Sequence, residues 1–351
     1  MVSLSFSQVK IRISSEISIS GDEINGLKEF IQDVQLLTNN EVKFEIIPSR
    51  QVKSTLNHIK SVSDGKLDAA FGYTHNLSSR APAALLFGSP IAGAGVGIDS
   101  TIFLSWFHNA GGSKLYDELW MQMGLNIKGF ILQAAPPQSL GWFKEPITSL
   151  TDLQGNRLRH DSDISGKILR EMGISIFPMK EADIIPELEK SNLDGVSWCC
   201  PKSDLELGVH EVVKNYYLQG IGANVLHTDL YINRDIYNNL TTQQKKAIEV
   251  SARASLGRYK STMIYRNAKA VRDLIESHNV IIHDTPKEFF KVYLEKAREI
   301  LEEKARVDPF FSKVWQSQKD FASFAVPYWD DTQIVDRILR KNYINEGNGL
   351  N

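Results

Sequence analysis

Within its first 72 residues the chain switches repeatedly between two hydrophobic periods, and that alternation sets the class of fold open to it. Val9, Ile11 and Ile13 recur at every second residue, as one face of a strand does. Ile24, Leu27, Phe30, Ile31, Val34 and Leu37 follow at helical spacing. Val42, Phe44 and Ile46 return to period two, and Val52, Leu56, Ile59 and Val62 to the helical one. Gly65 closes that helix, and Leu67 to Phe71 is a third strand. Strand, helix, strand, helix, strand at this spacing predicts a βαβαβ unit with a parallel sheet.

A second α/β segment begins near Ile127. It holds a strand at Leu158, a helix over Ser165–Met172, a helix over Ile184–Lys190 with Asp183 as its N-cap, and a strand over Asp194–Trp198. Thr241 and Gln244 form a capping box that opens the strongest helical signal, which runs to about His278. Gly257 leaves two readings for it, one long helix or two packed end to end. Further helices start at Pro286, Pro309 and Asp331. A length of 351 residues exceeds one ordinary core and suits two domains. No repeat of fixed period and no low-complexity linker separates the halves, so more than one chain crossing between domains is expected.

Chemistry is conspicuous by what is missing. Gly93, Gly95 and Gly97 lack dinucleotide-binding spacing, and no phosphate loop, HExxH or GxSxG occurs. The histidines His75, His108, His160, His210 and His227 are scattered, without metal-ligand spacing. The two cysteines, Cys199 and Cys200, are adjacent, cannot form an unstrained disulfide and read as a buried strand element. A net charge of −2 with interspersed signs argues against a nucleic-acid partner. No run approaches a membrane span, and the opening MVSLSFSQVKIRIS lacks the regions of a signal peptide.

One residue stands out against this background. A turn at Gln154-Gly155-Asn156 leads into Arg157, Leu158 and Arg159, which alternate across a strand. An arginine at a strand end can aim its planar fork at a carboxylate. The plainer alternative is an edge-strand arginine paired to a nearby aspartate.

Seven stretches, in order, resemble the DctP-type solute-binding proteins of TRAP transporters, most closely the branch that binds α-keto acids and related monocarboxylates. They are GKLDAAFGY (65–73), APAALLFGSPIAG (81–93), QSLGWFKEPI (138–147), SLTDLQGNRLR (149–159), GKILREMGI (166–174), ADIIPELEKSNLDGVSW (182–198) and INRDIYNNLT (232–241). The resemblance implies an α/β, two-lobe periplasmic-binding-protein-like fold with hinge-spanning strands and a long connecting helix. It places residues 1–127 and 214–255 in a first lobe and 128–213 and 256–310 in a second. Helices over 311–351 would pack on the first lobe or on a dimer partner, Trp315, Phe321, Phe324 and Tyr328 supplying the contact.

The implied function is extracytoplasmic capture of a small monocarboxylate (2-oxo, 2-hydroxy or aromatic) in an interlobe cleft, for delivery to membrane permease subunits. The family's carboxylate-clamping arginine falls on Arg159. Gln138 and Trp198 fall where the α-keto-acid branch holds a metal ion that bridges to the ligand. The Glu preceding that Trp is here Ser197, so no cofactor is expected, with a bridging sodium or calcium ion as the alternative. His160, Asp161, Ser162 and Asp163 replace small residues after Arg159, and either Asp161 or Asp163 could pair with Arg159 or face an amine on the ligand. Tyr73 and His75 are candidate hydrogen-bond donors to the ligand, while Phe71 and Trp142 are better read as core. The expected location is the periplasm; without a visible leader, the cytoplasm stays open. The competing class is an enzyme with His160, Asp161 and Asp163 as acid and base.

Overall fold

A computed structural model describes residues 8–17, 21–47, 54–161, 163–222 and 224–350, so Val52 and Ser162 lie outside the described residues. The chain divides into two compact units. The first comprises residues up to Ser89, Phe107–Ala135 and Leu226–Thr262; the second comprises Pro90–Trp106, Pro136–Val225 and Met263 onward. The chain therefore passes from one unit to the other more than once. The cuts differ from those expected: residues 90–106 and the helices beyond 311 both group with the second unit.

The first unit begins with β1 (Val9–Ser15), α1 (Asp22–Leu37), β2 (Val42–Ile47), α2 (Thr55–Ser63) and β3 (Ala69–Gly72). The short helix α3 (Ala84–Gly88) follows, then α4 (Ser100–Asn109), divided between the units, α5 (Gly112–Gln122) and β4 (Ile127–Ala134). β1 pairs in parallel with β2, Ile11 opposite Phe44, and with β3, Ile13 opposite Ala69. The apolar stripe of α1, Ile24, Leu27, Phe30 and Val34, covers this sheet and is fully buried with Ile11, Ile13 and Phe71.

The second unit carries β5 (Gly141–Phe143), α6 (Leu150–Leu153), β6 (Arg157–Arg159), α7 (Ile164–Glu171), β7 (Ser175–Phe177) and α8 (Glu181–Glu189). It continues through β8 (Gly195–Val196), α9 (Pro201–Leu207) and β9 (Asn215–Tyr217). The chain then returns to the first unit with β10 (His227–Asn233) and α10 (Arg234–Asn239). One unbroken helix, α11 (Thr242–Glu276), settles the question raised by Gly257, and its residues divide between the units at Thr262. The capping box is present: Gln244 N donates to Thr241 Oγ1 at 3.2 Å and Thr241 N to Gln244 Oε1 at 3.0 Å. β11 (Ile281–His283), α12 (Lys287–Val307), α13 (Pro309–Thr332) and α14 (Ile334–Tyr343) complete the chain.

The sheet of the first unit runs β2-β1-β3-β10-β4 and that of the second runs β7-β6-β8-β5-β9-β11. In each, three parallel strands are followed by antiparallel ones, β10 in the first and β5 in the second. The likeness extends to side chains. Arg12 donates from its backbone N, Nε and Nη2 to Asp68, and Arg157 from the same three atoms to Asp194. In both units the aspartate immediately precedes the partner strand, so each fork pins two neighbouring parallel strands in register.

Three local expectations are corrected. α8 starts at Glu181 after Lys180, so Asp183 is not its N-cap but sits in its first turn, where a negative charge complements the helix dipole. β8 ends at Val196, so Trp198, Cys199 and Cys200 form a loop. Cys200 occupies the cap position before α9, whose Pro201 stands in its first turn. And β6 lies between β7 and β8, so Arg159 is not on an edge.

Candidate functional site

The route into β6 is fixed locally. Gly155 adopts a φ of +78°, which permits the turn, and its N–H donates to Gly173 O at 2.8 Å. Alternation along the strand then separates three roles. Arg157, partly exposed, is committed to Asp194 at 2.9 Å (Nε–Oδ2) and 2.6 Å (Nη2–Oδ1). Leu158 is fully buried, and Arg159 is only 5% exposed.

Arg159 Nη1 donates to Ser197 O at 3.0 Å and Nη2 to Asp161 Oδ1 at 3.0 Å. Its guanidinium carbon lies 4.4 Å from the centroid of the Trp198 ring, within cation–π range. Nε is buried and has no hydrogen-bond partner. The edge formed by Nε and Nη2 is the one that Arg157 lays against Asp194. On Arg159 that edge holds a single oxygen, from an aspartate whose side chain is 67% exposed. Burial lowers the Arg159 pKa and the Asp161 charge opposes that, but a guanidinium stays protonated at any ordinary pH.

The other sequence candidates in this segment have structural engagements. Asp163 is the N-cap of α7 and accepts from Gly166 N at 2.9 Å. His160 is buried, with Nδ1 2.9 Å from Asp161 O. These contacts set the direction of the chain beyond Arg159 and leave Asp161 as the exposed carboxylate beside it.

Gln138, Ser197 and Trp198 do come together. Gln138 Nε2 donates to Trp198 O at 3.2 Å and lies 3.5 Å from Ser197 Oγ, while Ser139 N donates to Cys199 O at 2.9 Å. The cluster provides amide, carbonyl and hydroxyl oxygens but no carboxylate. A calcium ion takes six to eight oxygens and usually compensating charge. With Ser197 in place of a glutamate, and Asp161 engaged by Arg159, these residues do not fit a bridging dication.

Sequence reasoning missed the residue that holds this loop. Asp204, in α9, is completely buried, and its Oδ1 accepts from Cys199 N at 3.0 Å. Its Oδ2 accepts from Trp142 Nε1 and from Tyr216 OH, each at 2.9 Å. Burial pushes its pKa up to about 6. Trp142 stacks on Tyr216 with ring centroids 3.9 Å apart, and Ser139 Oγ lies 2.7 Å from Tyr216 OH. The core role expected for Trp142 is correct, as it is for Phe71 in the first unit. Only the helix-start pattern Pro201 to Asp204 signalled the aspartate, and nothing in it tells a buried anchor from a solvated one.

Tyr73 and His75 belong to the first unit. Their rings are 5.4 Å apart, and Tyr73 N donates to Glu16 Oε1 at 2.7 Å. Burial raises the Glu16 pKa against the hydrogen bond from Thr55. Thr74, between the two rings, joins a buried network in which its Oγ1 and Tyr116 OH both donate to Asp229, at 2.9 Å each.

The chain matches the family described as bacterial extracellular solute-binding protein, family 7 (DctP), over residues 14–306. It is 21% identical over 300 residues to the monocarboxylate 2-oxoacid-binding periplasmic protein of Nostoc sp. (strain PCC 7120), covering 84% of this chain and 79% of that protein. Two solved structures are similar in fold. One is a TRAP transporter solute-binding protein from Bordetella bronchiseptica, a dimer with copurified calcium and picolinate, with TM-score 0.84, 21% identity and coverage of 97% and 99% of the two chains. The other is a TRAP periplasmic solute-binding protein from Colwellia psychrerythraea with bound calcium and pyruvate, with TM-score 0.82, 22% identity and coverage of 96% and 100%.

Proposed function

This chain belongs to bacterial extracellular solute-binding protein family 7, the DctP family, and on that premise we propose that it captures a small monocarboxylate through Arg159 without a bridging metal ion. It is a TRAP-type solute-binding protein, a transport protein and not an enzyme, and such proteins work with membrane permease components. The enzyme alternative falls with that membership. His160, Asp161 and Asp163, its supposed acid and base, are moreover engaged with a backbone carbonyl, with Arg159 and with the α7 cap. No described helix is long and apolar enough to cross a membrane.

The observation that carries the reading is the Nε/Nη2 edge of Arg159, buried, with Nε unpartnered and Nη2 on one exposed aspartate oxygen. A ligand carboxylate would displace Asp161 and take both donors, as Asp194 takes those of Arg157. The ring of Trp198 on one face of the guanidinium and the loop at Gln138 would border the bound acid. The Nostoc, Bordetella and Colwellia relatives bind, by description, a monocarboxylate 2-oxoacid, picolinate and pyruvate. A 2-oxo or aromatic acid is therefore the class to try first.

The test is calorimetric titration of chelator-treated protein with pyruvate, lactate and picolinate, against Arg159→Ala. Losing one partner of a buried charged pair costs about 2–5 kcal/mol, which is about 30-fold to about 5,000-fold in affinity. Arg159→Lys should restore little, because an ammonium is a point charge without the fork. Binding that survives in Arg159→Ala refutes the clamp, and binding that appears only with added calcium or sodium refutes the metal-free part.

We further propose that the protein pairs with a second copy through its C-terminal helices. None of the described residues of α14 is buried, and Ile334, Val335, Ile338, Leu339 and Tyr343 leave apolar surface on it next to exposed Phe324 and Tyr328 of α13. The Bordetella relative is described as a dimer.

A further inference from the structure

A second cluster of ligating side chains lies in the second unit, away from Arg159 in sequence and in chemistry. The tight turn Val209–Glu211 follows α9, and His278 lies in the turn between α11 and β11. The two elements bring His210, Glu211 and His278 together so that one donor atom from each lies within 4.8 Å of the others. His210 Nε2 is 2.9 Å and His278 Nδ1 3.8 Å from the same Glu211 oxygen, and the two imidazole centroids are 4.2 Å apart.

The arrangement is graded from core to solvent. His210 is almost completely buried, the His278 side chain is 30% exposed and that of Glu211 66%. Lys214 Nζ donates to His278 O at 3.0 Å, so the backbone of the His278 turn is held as well as its ring. Burial, and then the neighbouring His278, lower the His210 pKa. Neutral imidazole is the form a metal ion requires.

We propose that His210, Glu211 and His278 bind one divalent transition-metal ion of the zinc class. Two imidazoles and one carboxylate are a donor set for zinc, cobalt or nickel, with water completing the coordination; calcium and magnesium, which call for oxygen, are disfavoured. His210 Nε2 and the Glu211 oxygen are already as close as ligands of one ion, while His278 Nδ1, 3.8 Å from that oxygen in a set spanning up to 4.8 Å, stands wider than a closed tetrahedron needs. Modest rotation of the exposed Glu211 and partly exposed His278 side chains would bring them in, while His210 stays fixed by its packing. The bound ion would tie the Val209–Glu211 turn to the end of α11.

The experiment uses full-length protein freed of any affinity tag and stripped with chelator. Zinc titrated calorimetrically should bind at one equivalent, and cobalt should develop the visible absorption of a low-coordinate nitrogen-ligated site. His278→Ala and Glu211→Gln change partly exposed side chains and should fold normally, as their circular dichroism would confirm. Each should weaken zinc binding by about ten-fold or more, since even outer-shell partners of a metal are worth about 10- to 100-fold. Carboxylate binding by these variants should match wild type, which keeps this test separate from that of Arg159. No zinc binding, wild-type affinity in His278→Ala, or calcium binding that depends on His278 would each overturn the proposal.

Discussion

At the scale of single residues, the aspartate paired with Arg159 and the aspartate anchoring the Cys199 loop do different work, and substitution separates them. Asp161 pairs with Arg159 from an exposed position, so on the proposed reading it competes with the ligand carboxylate. Exposed pairs are worth at most about 1 kcal/mol, so Asp161→Asn should tighten carboxylate binding by up to about five-fold. Weaker binding in that variant would refute the competition between Asp161 and the ligand. Asp204 acts through the loop. Its folded pKa of about 6 lies above the ordinary value of 3.8, so between these values the native state holds more protons than the unfolded one. Stability from this group is complete below about pH 4 and declines as pH rises through about 6. Asp204→Asn should remove that slope, a difference on the order of 2 kcal/mol, read by comparing urea unfolding of the two proteins from pH 4 to 7. The place of the arginine on its strand was legible in sequence because turn and alternation converged on it. Asp204 was not, because burial 62 residues from Trp142 in the chain leaves no local trace.

Among the elements, legibility followed length and periodicity. The first βαβαβ run and the capping box at Thr241 read correctly, because each repeats a hydrophobic period or pairs residues three apart. Short elements did not: β8 has two residues, too few for alternation to distinguish strand from the loop that follows, and α8 begins without any side-chain cap. α11 shows a third case. Gly257 left one long helix or two as equal readings; the helix continues through it, and a Cβ added there would meet nothing within 4 Å. The glycine is thus a cost without a compensating contact. Gly257→Ala should stabilise by about 0.5–1 kcal/mol, visible as a rise of about one to two degrees in Tm, with ligand affinity unchanged.

For the whole molecule, the sequence yielded the class and the family but not the division of the chain. Segment 90–106 is short, sits between first-unit stretches in sequence and packs with helices more than 200 residues later, as Trp315 Nε1 on Ala94 O and Trp106 Nε1 on Ser317 Oγ show. No local pattern encodes such a partner. The exposed apolar residues of α13 and α14 give a prediction at this scale: deleting residues 333–351 should convert a dimer to a monomer in analytical ultracentrifugation, while carboxylate binding persists. A full-length protein that is monomeric at every accessible concentration would defeat it. The paired forks of Arg12 on Asp68 and Arg157 on Asp194 have one further consequence. The Arg157 fork holds β6 against Asp194 with a side chain of its own, so that anchor does not depend on the side chain two residues on, even though the Arg159 backbone and Nη1 also bond the chain at Ser197. The corresponding place after Arg12 is Ser14, a small buried residue bonded to His58. A change of side chain at residue 159 therefore leaves the Arg157–Asp194 fork in place, so the solute contact can be altered while one side-chain anchor of the strand's register persists.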